Sequence, residues 1–198
     1  MGVSASSIRY PRDSDDAFNA LRILKQRLPT ELVLKILNYA QYWILSQASR
    51  EHMCVYTERD CRDRTPYLIS EPIPPDGRSP IREIRIDIWS HDQGWSSYHE
   101  DHGTYRNSWT WFELGIERPS ERSIEDDTKD LDVRLATNLH ARGVSQHHQV
   151  VYCAEDNLPW MRNLRAGDRI SIIPRALYPG WQNFVEKASI EIYTDPFS

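Results

Sequence analysis

Apolar residues recur at helical spacing near the amino terminus and at alternating positions further along the chain. Residues 15–26 carry apolar side chains every three or four positions, with acidic residues at their start that suit the helix dipole. Pro29 ends this segment, and Thr30 is a good N-cap for the next one. Residues 30–49 contain neither proline nor glycine. We therefore predict two helices, over residues 15–26 and about residues 30–49.

Apolar side chains cover most of the second predicted helix rather than a single stripe. Leucine, isoleucine, valine, tyrosine and tryptophan dominate residues 32–45. An ordinary surface helix needs only one apolar stripe facing the core. The pattern predicts a helix that packs on the rest of the chain and has apolar surface left for a partner.

The apolar period changes to two beyond residue 80. Ile84, Ile86 and Ile88 alternate with polar residues, which is the pattern of a half-buried strand. Residues 107–116 show a similar alternation, with Trp109 and Trp111 predicted to fill the core from one face. Further strands are predicted over residues 67–70, 131–136, 149–153, 169–173 and 188–193.

Many short strands separated by polar loops are typical of a mainly β protein. We predict an antiparallel β-sandwich, of the jelly-roll or galactose-binding-like kind, preceded by a short α-helical segment. The helical part is assigned to residues 1–66 and the sandwich to residues 67–198, with charged and proline-rich residues 59–80 around the junction. Residues 117–130 are strongly acidic and are predicted to form a solvated loop.

Composition narrows the classes of partner and compartment. The 198 residues carry a formal net charge of −5, which argues against a general nucleic-acid or anionic-membrane binder. No apolar run is long enough to span a bilayer, and the first residues lack the apolar core of a signal peptide. Cys54, Cys61 and Cys153 are odd in number and widely spaced, as expected of reduced thiols. We predict a cytoplasmic or nuclear protein.

The densest chemistry lies in residues 90–113, SHDQGWSSYHEDHGTYRNSWTWFE. Rings, imidazoles and carboxylates next to a predicted strand indicate a recognition loop on a rigid scaffold. Flat tryptophan and tyrosine faces suit sugars, nucleobases or peptide side chains, and the polar groups supply directional hydrogen bonds. The candidate ligand-binding residues are His91, Asp92, Gln93, Trp95, Tyr98, Asp101, His102, Tyr105 and Trp181. The alternative is a core corner in which these rings only pack.

Metal and catalytic functions are the weaker alternatives. Histidine and acidic residues that could supply ligands are His91, Asp92, His99, Glu100, Asp101, His102, His140, His147 and His148. Zinc sites need three or four convergent groups, and no cysteine has the required short spacing. An oxygen-ligated calcium site is another alternative. The chain has no Gly-x-Ser-x-Gly elbow, phosphate loop or HExxH helix, so we predict no catalytic residues, metal or cofactor.

The start of the second helix resembles a known docking motif. Residues Leu28-Pro29-Thr30-Glu31-Leu32 and Ile36-Leu37 are similar to the opening of an F-box, which docks substrate receptors onto the Skp adaptor of cullin ubiquitin ligases. The resemblance covers residues 28–43 and implies partner-binding roles for Leu28, Pro29, Glu31, Leu32, Ile36 and Leu37. Residues 46–56 lack the Val-Cys-x-x-Trp-like element that normally follows. Internal packing of the helix is the alternative.

Residues 81–193 also resemble a domain of poorly defined function in filamentous-fungal proteins. The blocks SHDQGWS at residue 90, GTY at residue 103 and SWTWFE at residue 108 carry the similarity. Three functional hypotheses follow. The first is a non-enzymatic, F-box-type substrate receptor whose sandwich binds a protein or glycan. The others are a free-standing lectin-like carbohydrate-binding protein and a metal-dependent enzyme.

Overall fold

The structure is a computed structural model that describes residues 11–74, 81–119 and 133–197. It opens with two helices, α1 (Ser14–Lys25) and α2 (Thr30–Tyr39). Asp13 caps α1 because its carboxylate accepts a hydrogen bond from the Asp16 backbone N–H at 2.8 Å. The first predicted helix is confirmed. No helix in the described ranges combines the length and apolarity needed to cross a membrane.

The predicted extension of the second helix to residue 49 is wrong, because α2 ends at Tyr39. Gln41 adopts a left-handed φ of 49°, and the Tyr42 backbone N–H donates to the Leu37 carbonyl at 2.9 Å. These contacts form a Schellman motif, which usually places glycine at the left-handed position. With glutamine there, the sequence shows no stop signal.

The chain then forms a β-sandwich of two antiparallel sheets, confirming the predicted fold class. The larger sheet has the order β1-β9-β4-β7, with β2 also pairing with β9, and the smaller sheet has the order β3-β8-β5-β6. The strands are β1 (Ile44–Arg50), β2 (Cys54–Thr57), β3 (Leu68–Ile69), β4 (Ile81–His91), β5 (Thr110–Glu117), β6 (Arg134–Thr137), β7 (Gln146–Cys153), β8 (Arg169–Ala176) and β9 (Gln182–Thr194). A short helix, α3 (Pro159–Arg162), and two 3₁₀ turns, His99–Asp101 and Ala154–Asp156, complete the described elements.

The two sheets enclose an aliphatic core. Ile84, Ile86 and Ile88 of β4 are fully buried, as their alternation predicts, and they pack in the same cluster as Phe112 and Leu114 of β5. Isoleucines of β8 and β9 belong to the same cluster. Burial of these side chains is the main driving force that holds the sheets together.

Two strands of the larger sheet come from the part of the chain that was assigned to the helical segment. β1 pairs with β9 from Ile44↔Thr194 to Arg50↔Ala188, and β2 pairs with β9 from Cys54 to Thr57. Residues 44–57 thus contribute strands to the larger sheet, although they precede the predicted start of the sandwich at residue 67. The division of the chain into two domains stays a prediction. The predicted acidic loop starts inside β5 at Glu117, and its part from residue 120 to residue 130 lies outside the described residues.

Candidate functional site

Three connections leave the sandwich at one end. In the larger sheet, His91 pairs with Phe184 and Ser90 pairs with Gln146, so the end of β4 lies beside the starts of β9 and β7. In the smaller sheet, Thr110 at the start of β5 pairs with Ala176 at the end of β8. Residues 92–109, 138–145 and 177–181 therefore share one end of the molecule. We call residues 92–109 the aromatic loop.

A buried polar network joins the two sheets beneath these loops. Asn138 accepts a hydrogen bond from Ser90 Oγ at 2.7 Å and donates to Thr110 Oγ1 at 3.1 Å and Asn183 Oδ1 at 3.0 Å. All four residues are fully buried. Asn183 in turn donates to the Trp111 carbonyl at 3.0 Å. Because each buried group has a partner, the network holds the loop bases in one arrangement.

Asp92 anchors the aromatic loop from inside the protein. Its carboxylate is fully buried and accepts hydrogen bonds from the backbone N–H groups of Gly94 at 2.8 Å and Ala141 at 2.6 Å. Burial raises the pKa of Asp92, although these backbone donors oppose the shift. The prediction that Asp92 contacts a ligand is corrected, because its oxygens face the neighbouring loop.

Asp101 has a similar internal role. It is 5% exposed and accepts hydrogen bonds from Asn107 Nδ2 at 2.6 Å, with Arg106 Nε at 3.2 Å. The backbones of Gly103 and Thr104 also exchange hydrogen bonds of 2.8 Å with His140. Asp101 was predicted as a ligand contact, and this too is corrected, since its carboxylate organises the loop instead.

Aromatic rings remain on the outside of this internally braced loop. Trp95 is 65% exposed, Tyr98 is 57% exposed and Tyr105 is 63% exposed. His102 is also exposed, with its Nε2 3.0 Å from the Ser96 carbonyl oxygen. These four of the predicted ligand-binding residues are open to solvent.

The other predicted residues connect the loops to each other. Gln93 donates to the Trp95 carbonyl at 2.9 Å and accepts from the Gln182 backbone N–H at 3.2 Å, which joins the aromatic loop to the start of β9, next to Trp181. Trp181 is half-buried against His140, with ring centroids 5.1 Å apart. His91 stacks on Phe184 at 4.7 Å. These three side chains are half-buried, and their contacts hold the loops together.

The polar groups beneath these loops were not predicted from the sequence. Ser90, Thr110, Asn138 and Asn183 did not stand out, and His140 was considered only as a metal ligand. His140 is fully buried, with Nδ1 3.0 Å from the Arg106 carbonyl oxygen. Polar residues at inward-facing strand positions, such as Ser90 and Thr110, were the available signal.

The prediction that Trp109 and Trp111 fill the core from the inner face is also wrong. Trp111 is 8% exposed but lies on the outer face, covered by the Arg134 guanidinium at 4.7 Å from its ring centroid. Its Nε1 donates to Glu113 Oε1 at 2.9 Å. Trp109 is half-buried against Tyr178, with centroids 4.9 Å apart. The alternation was correct, but the core face belongs to Phe112 and Leu114.

The histidines lie in separate places. The His102 ring lies 5.0 Å from that of His99 and 5.7 Å from that of His140, between centroids, whereas His147 and His148 belong to β7. His147 stacks on Trp89 at 4.2 Å and approaches Asp87 Oδ1 at 2.5 Å, whereas its neighbour His148 faces inward towards Phe112. Burial lowers the pKa of His148. Within the described ranges, no group of three or more histidine, cysteine, aspartate or glutamate side chains is placed to hold a metal ion.

The predicted partner-binding residues divide between two faces of α2 and its entry. Leu32 is 47% exposed and Ile36 is 44% exposed, and both Pro29 and Glu31 are exposed. Leu28 is half-buried. Leu37 is only 5% exposed, so its assignment as a partner contact is corrected: it packs inside with Val33.

The comparisons with known proteins place the chain in no family. No family model matches it, and neither does any curated protein. Among solved structures, it is similar to a family two carbohydrate esterase from Cellvibrio japonicus, with 14% sequence identity and a TM-score of 0.27. The match covers 76% of this chain and 35% of that one, so this chain spans about a third of that protein's length. A likeness this low identifies neither a family nor an activity.

Proposed function

We propose that this protein is a non-enzymatic recognition protein whose β-sandwich binds a glycan at the aromatic loop. The observation that carries the proposal is the exposure of Trp95, Tyr98 and Tyr105, each by more than half, on one internally braced loop. Exposed tryptophan and tyrosine rings offer flat apolar faces that pack on the C–H face of a sugar. His102 and the loop backbone offer hydrogen-bonding groups beside them.

The bracing of the loop favours binding because little order has to be gained. Asp92 fixes the start of the loop to the Ala141 backbone, and Asp101 fixes its middle through Asn107. A loop already held in its bound conformation loses less conformational entropy on association. Aromatic side chains also lose little rotamer freedom when they are covered.

A glycan array followed by fluorescence titration of the best ligand tests the proposal. We expect wild-type protein to bind at least one glycan and Trp95→Ala to weaken that binding by about tenfold or more, since a central ring often acts as a binding hot spot. Tyr39→Ala is the matched control, because Tyr39 is 90% exposed but lies on α2. The absence of any glycan signal, or equal binding by wild type and Trp95→Ala, contradicts the proposal.

A second role has its own observation, the apolar face of α2. Leu32, Ile36 and Tyr39 follow one another at spacings of four and three residues, and Tyr39 is 90% exposed. Side chains at these spacings share one helix face. An exposed apolar helix face fits a partner's groove. We propose that this face docks a Skp-type adaptor, which would make the sandwich the substrate-binding part of a cullin ubiquitin ligase.

Co-purification with the Skp adaptor tests the docking proposal. Wild-type protein should be retained, and Leu32→Ala/Ile36→Ala should not, because the change removes apolar area from the docking face. Leu177→Ala is the control, since Leu177 is 41% exposed and follows β8. Failure of the wild type to be retained, or equal retention of the double variant, would refute docking. A glycan signal without retention would then support a free-standing lectin-like protein.

A further inference from the structure

A cleft lies between the edges of the two sheets, next to the aromatic loop. β6 is the last strand of the smaller sheet and β7 is the last strand of the larger one, within the described part of the chain. The cleft between them has a volume of about 610 Å³, and Tyr105 of the aromatic loop forms part of its lining. Pockets of this size hold small organic ligands.

The wall of this cleft contains a buried hydroxyl group that lacks a partner. Ser108 is 8% exposed, and its Oγ has no hydrogen-bond partner among the described residues. Buried polar groups in folded proteins are nearly always paired, because an unpaired one loses its hydration without compensation. The unpaired Ser108 hydroxyl therefore indicates that a polar group of a bound ligand completes its hydrogen bonding.

A positively charged side chain, Arg134, also lines this cleft. Arg134 is exposed, and one face of its guanidinium covers the Trp111 ring at 4.7 Å. No carboxylate of the described residues forms a salt bridge with it. Stacking fixes the plane of the guanidinium and leaves its N–H edge available. That edge matches the two oxygens of a carboxylate.

The remaining walls combine polar and apolar side chains, and no acidic residue is among the described residues that line the cleft. Gln149 donates to Asp87 at 3.1 Å, which leaves its side-chain oxygen free to accept a hydrogen bond. Asp87 is itself engaged by His147. His148 also lines the cleft, and burial lowers its pKa, which disfavours a second positive charge there. Arg134 is thus the fixed positive charge of a cleft whose other lining groups are hydroxyl, amide, imidazole and small or aliphatic side chains.

We infer that this cleft binds the carboxylate-bearing sugar of an acidic glycan, a uronic acid. Arg134 holds the carboxylate, Ser108 bonds a sugar hydroxyl, and Tyr105 covers an apolar face of the ring. The inference rests on the proposed function, since Tyr105 belongs to both surfaces. The chain as a whole has a net charge of −5, so attraction of an anionic sugar must come from this local arrangement.

NMR titration of the full-length protein with D-glucuronate and, separately, D-glucose tests the inference. We expect glucuronate to bind more tightly, and Arg134→Gln to weaken it by about tenfold or more without affecting glucose, because charge-assisted hydrogen bonds are much stronger than neutral ones. Ser108→Ala should weaken both sugars. Arg142→Gln is the control: Arg142 is exposed on the loop before β7 but does not line the cleft.

The results separate failure of the inference from failure of the proposed function. Equal affinity for the two sugars, no binding of either, or unchanged glucuronate binding by Arg134→Gln would overturn the inference. N-acetyl-glutamate binding as tightly as glucuronate would assign the cleft to an acidic peptide and also overturn it. If glycans still bind in a Trp95-dependent manner, the proposed function survives; if no glycan binds at all, both fail.

Discussion

Replacing Asn138 by alanine is expected to destabilise the sandwich strongly, because this one side chain bridges both sheets. It makes three short hydrogen bonds, to Ser90, Thr110 and Asn183, at 2.7, 3.1 and 3.0 Å. A fourth approach, from His148 Nε2 at 3.4 Å, is too long to count for much. The substitution leaves three fully buried groups without their shared partner.

The size of the effect follows from these three bonds. At about 1 kcal/mol net per bond, the loss is about 3 kcal/mol, before any added penalty for buried groups left unpaired. That is a large share of the roughly 5–15 kcal/mol by which a domain is stable. It should lower the urea midpoint by roughly 1–2 M.

Urea unfolding followed by tryptophan fluorescence measures this loss. Asn38→Ala, an exposed change on α2, should alter the free energy of unfolding by no more than about 0.5 kcal/mol. The double variant Asn138→Ala/Asn183→Ala should lose less free energy of unfolding than the two single variants added together, because the two side chains share a hydrogen bond. A loss below about 1 kcal/mol for Asn138→Ala, or strict additivity, would refute the network reasoning.

Two further predictions concern the loop contacts and the response to acid. Gly94→Ala should be more destabilising than Gly180→Ala: both glycines have positive φ, but only at Gly94 would a Cβ meet another backbone, Gly143 Cα at 3.0 Å. Equal midpoints in urea would contradict this. Burial raises the pKa of Asp168, but hydrogen bonds from Arg118 at 2.8 Å and from the Arg165 backbone N–H at 2.9 Å, together with the charges of both arginines, outweigh it, so the net pKa lies below its ordinary 3.8. The stabilisation that comes from this lowered pKa is fully present above about pH 3.8 and is lost as the pH falls through the pKa of Asp168 in the folded protein. With Arg118→Gln the loss of stability should begin at a higher pH, as acid titration of unfolding would show.

Local patterns in the chain were sufficient for the elements whose burial follows a simple period. The alternation of Ile84, Ile86 and Ile88 predicts an inward-facing strand, and β4 has that orientation. The acidic start and apolar spacing of residues 15–26 predict α1 within one residue at each end. Both signals are local, so neither depends on which distant segment becomes the neighbour.

The end of α2 could not be predicted in this way. The apolar residues Ile44 and Leu45 are compatible with either a helix or a strand. Only their pairing with β9, where Ile44 lies opposite the distant Thr194, favours the strand. The turn that separates them places Gln41 at a left-handed position where glycine is the usual signal. A contact between such distant segments leaves no trace in local spacing.

The sequence by itself determined the composition of the site, whereas the tertiary structure decided which residues can meet a ligand. Residues 90–105 and Trp181 were recognisable as ring-rich and polar, and the fold does bring them together. Only the folded arrangement shows that Asp92 faces the 138–145 loop and Asp101 faces Asn107, while Trp95 and Tyr105 face solvent. The reason is physical: buried backbone N–H groups need acceptors, and the Ala141 N–H that pairs with Asp92 belongs to a loop that only folding brings near.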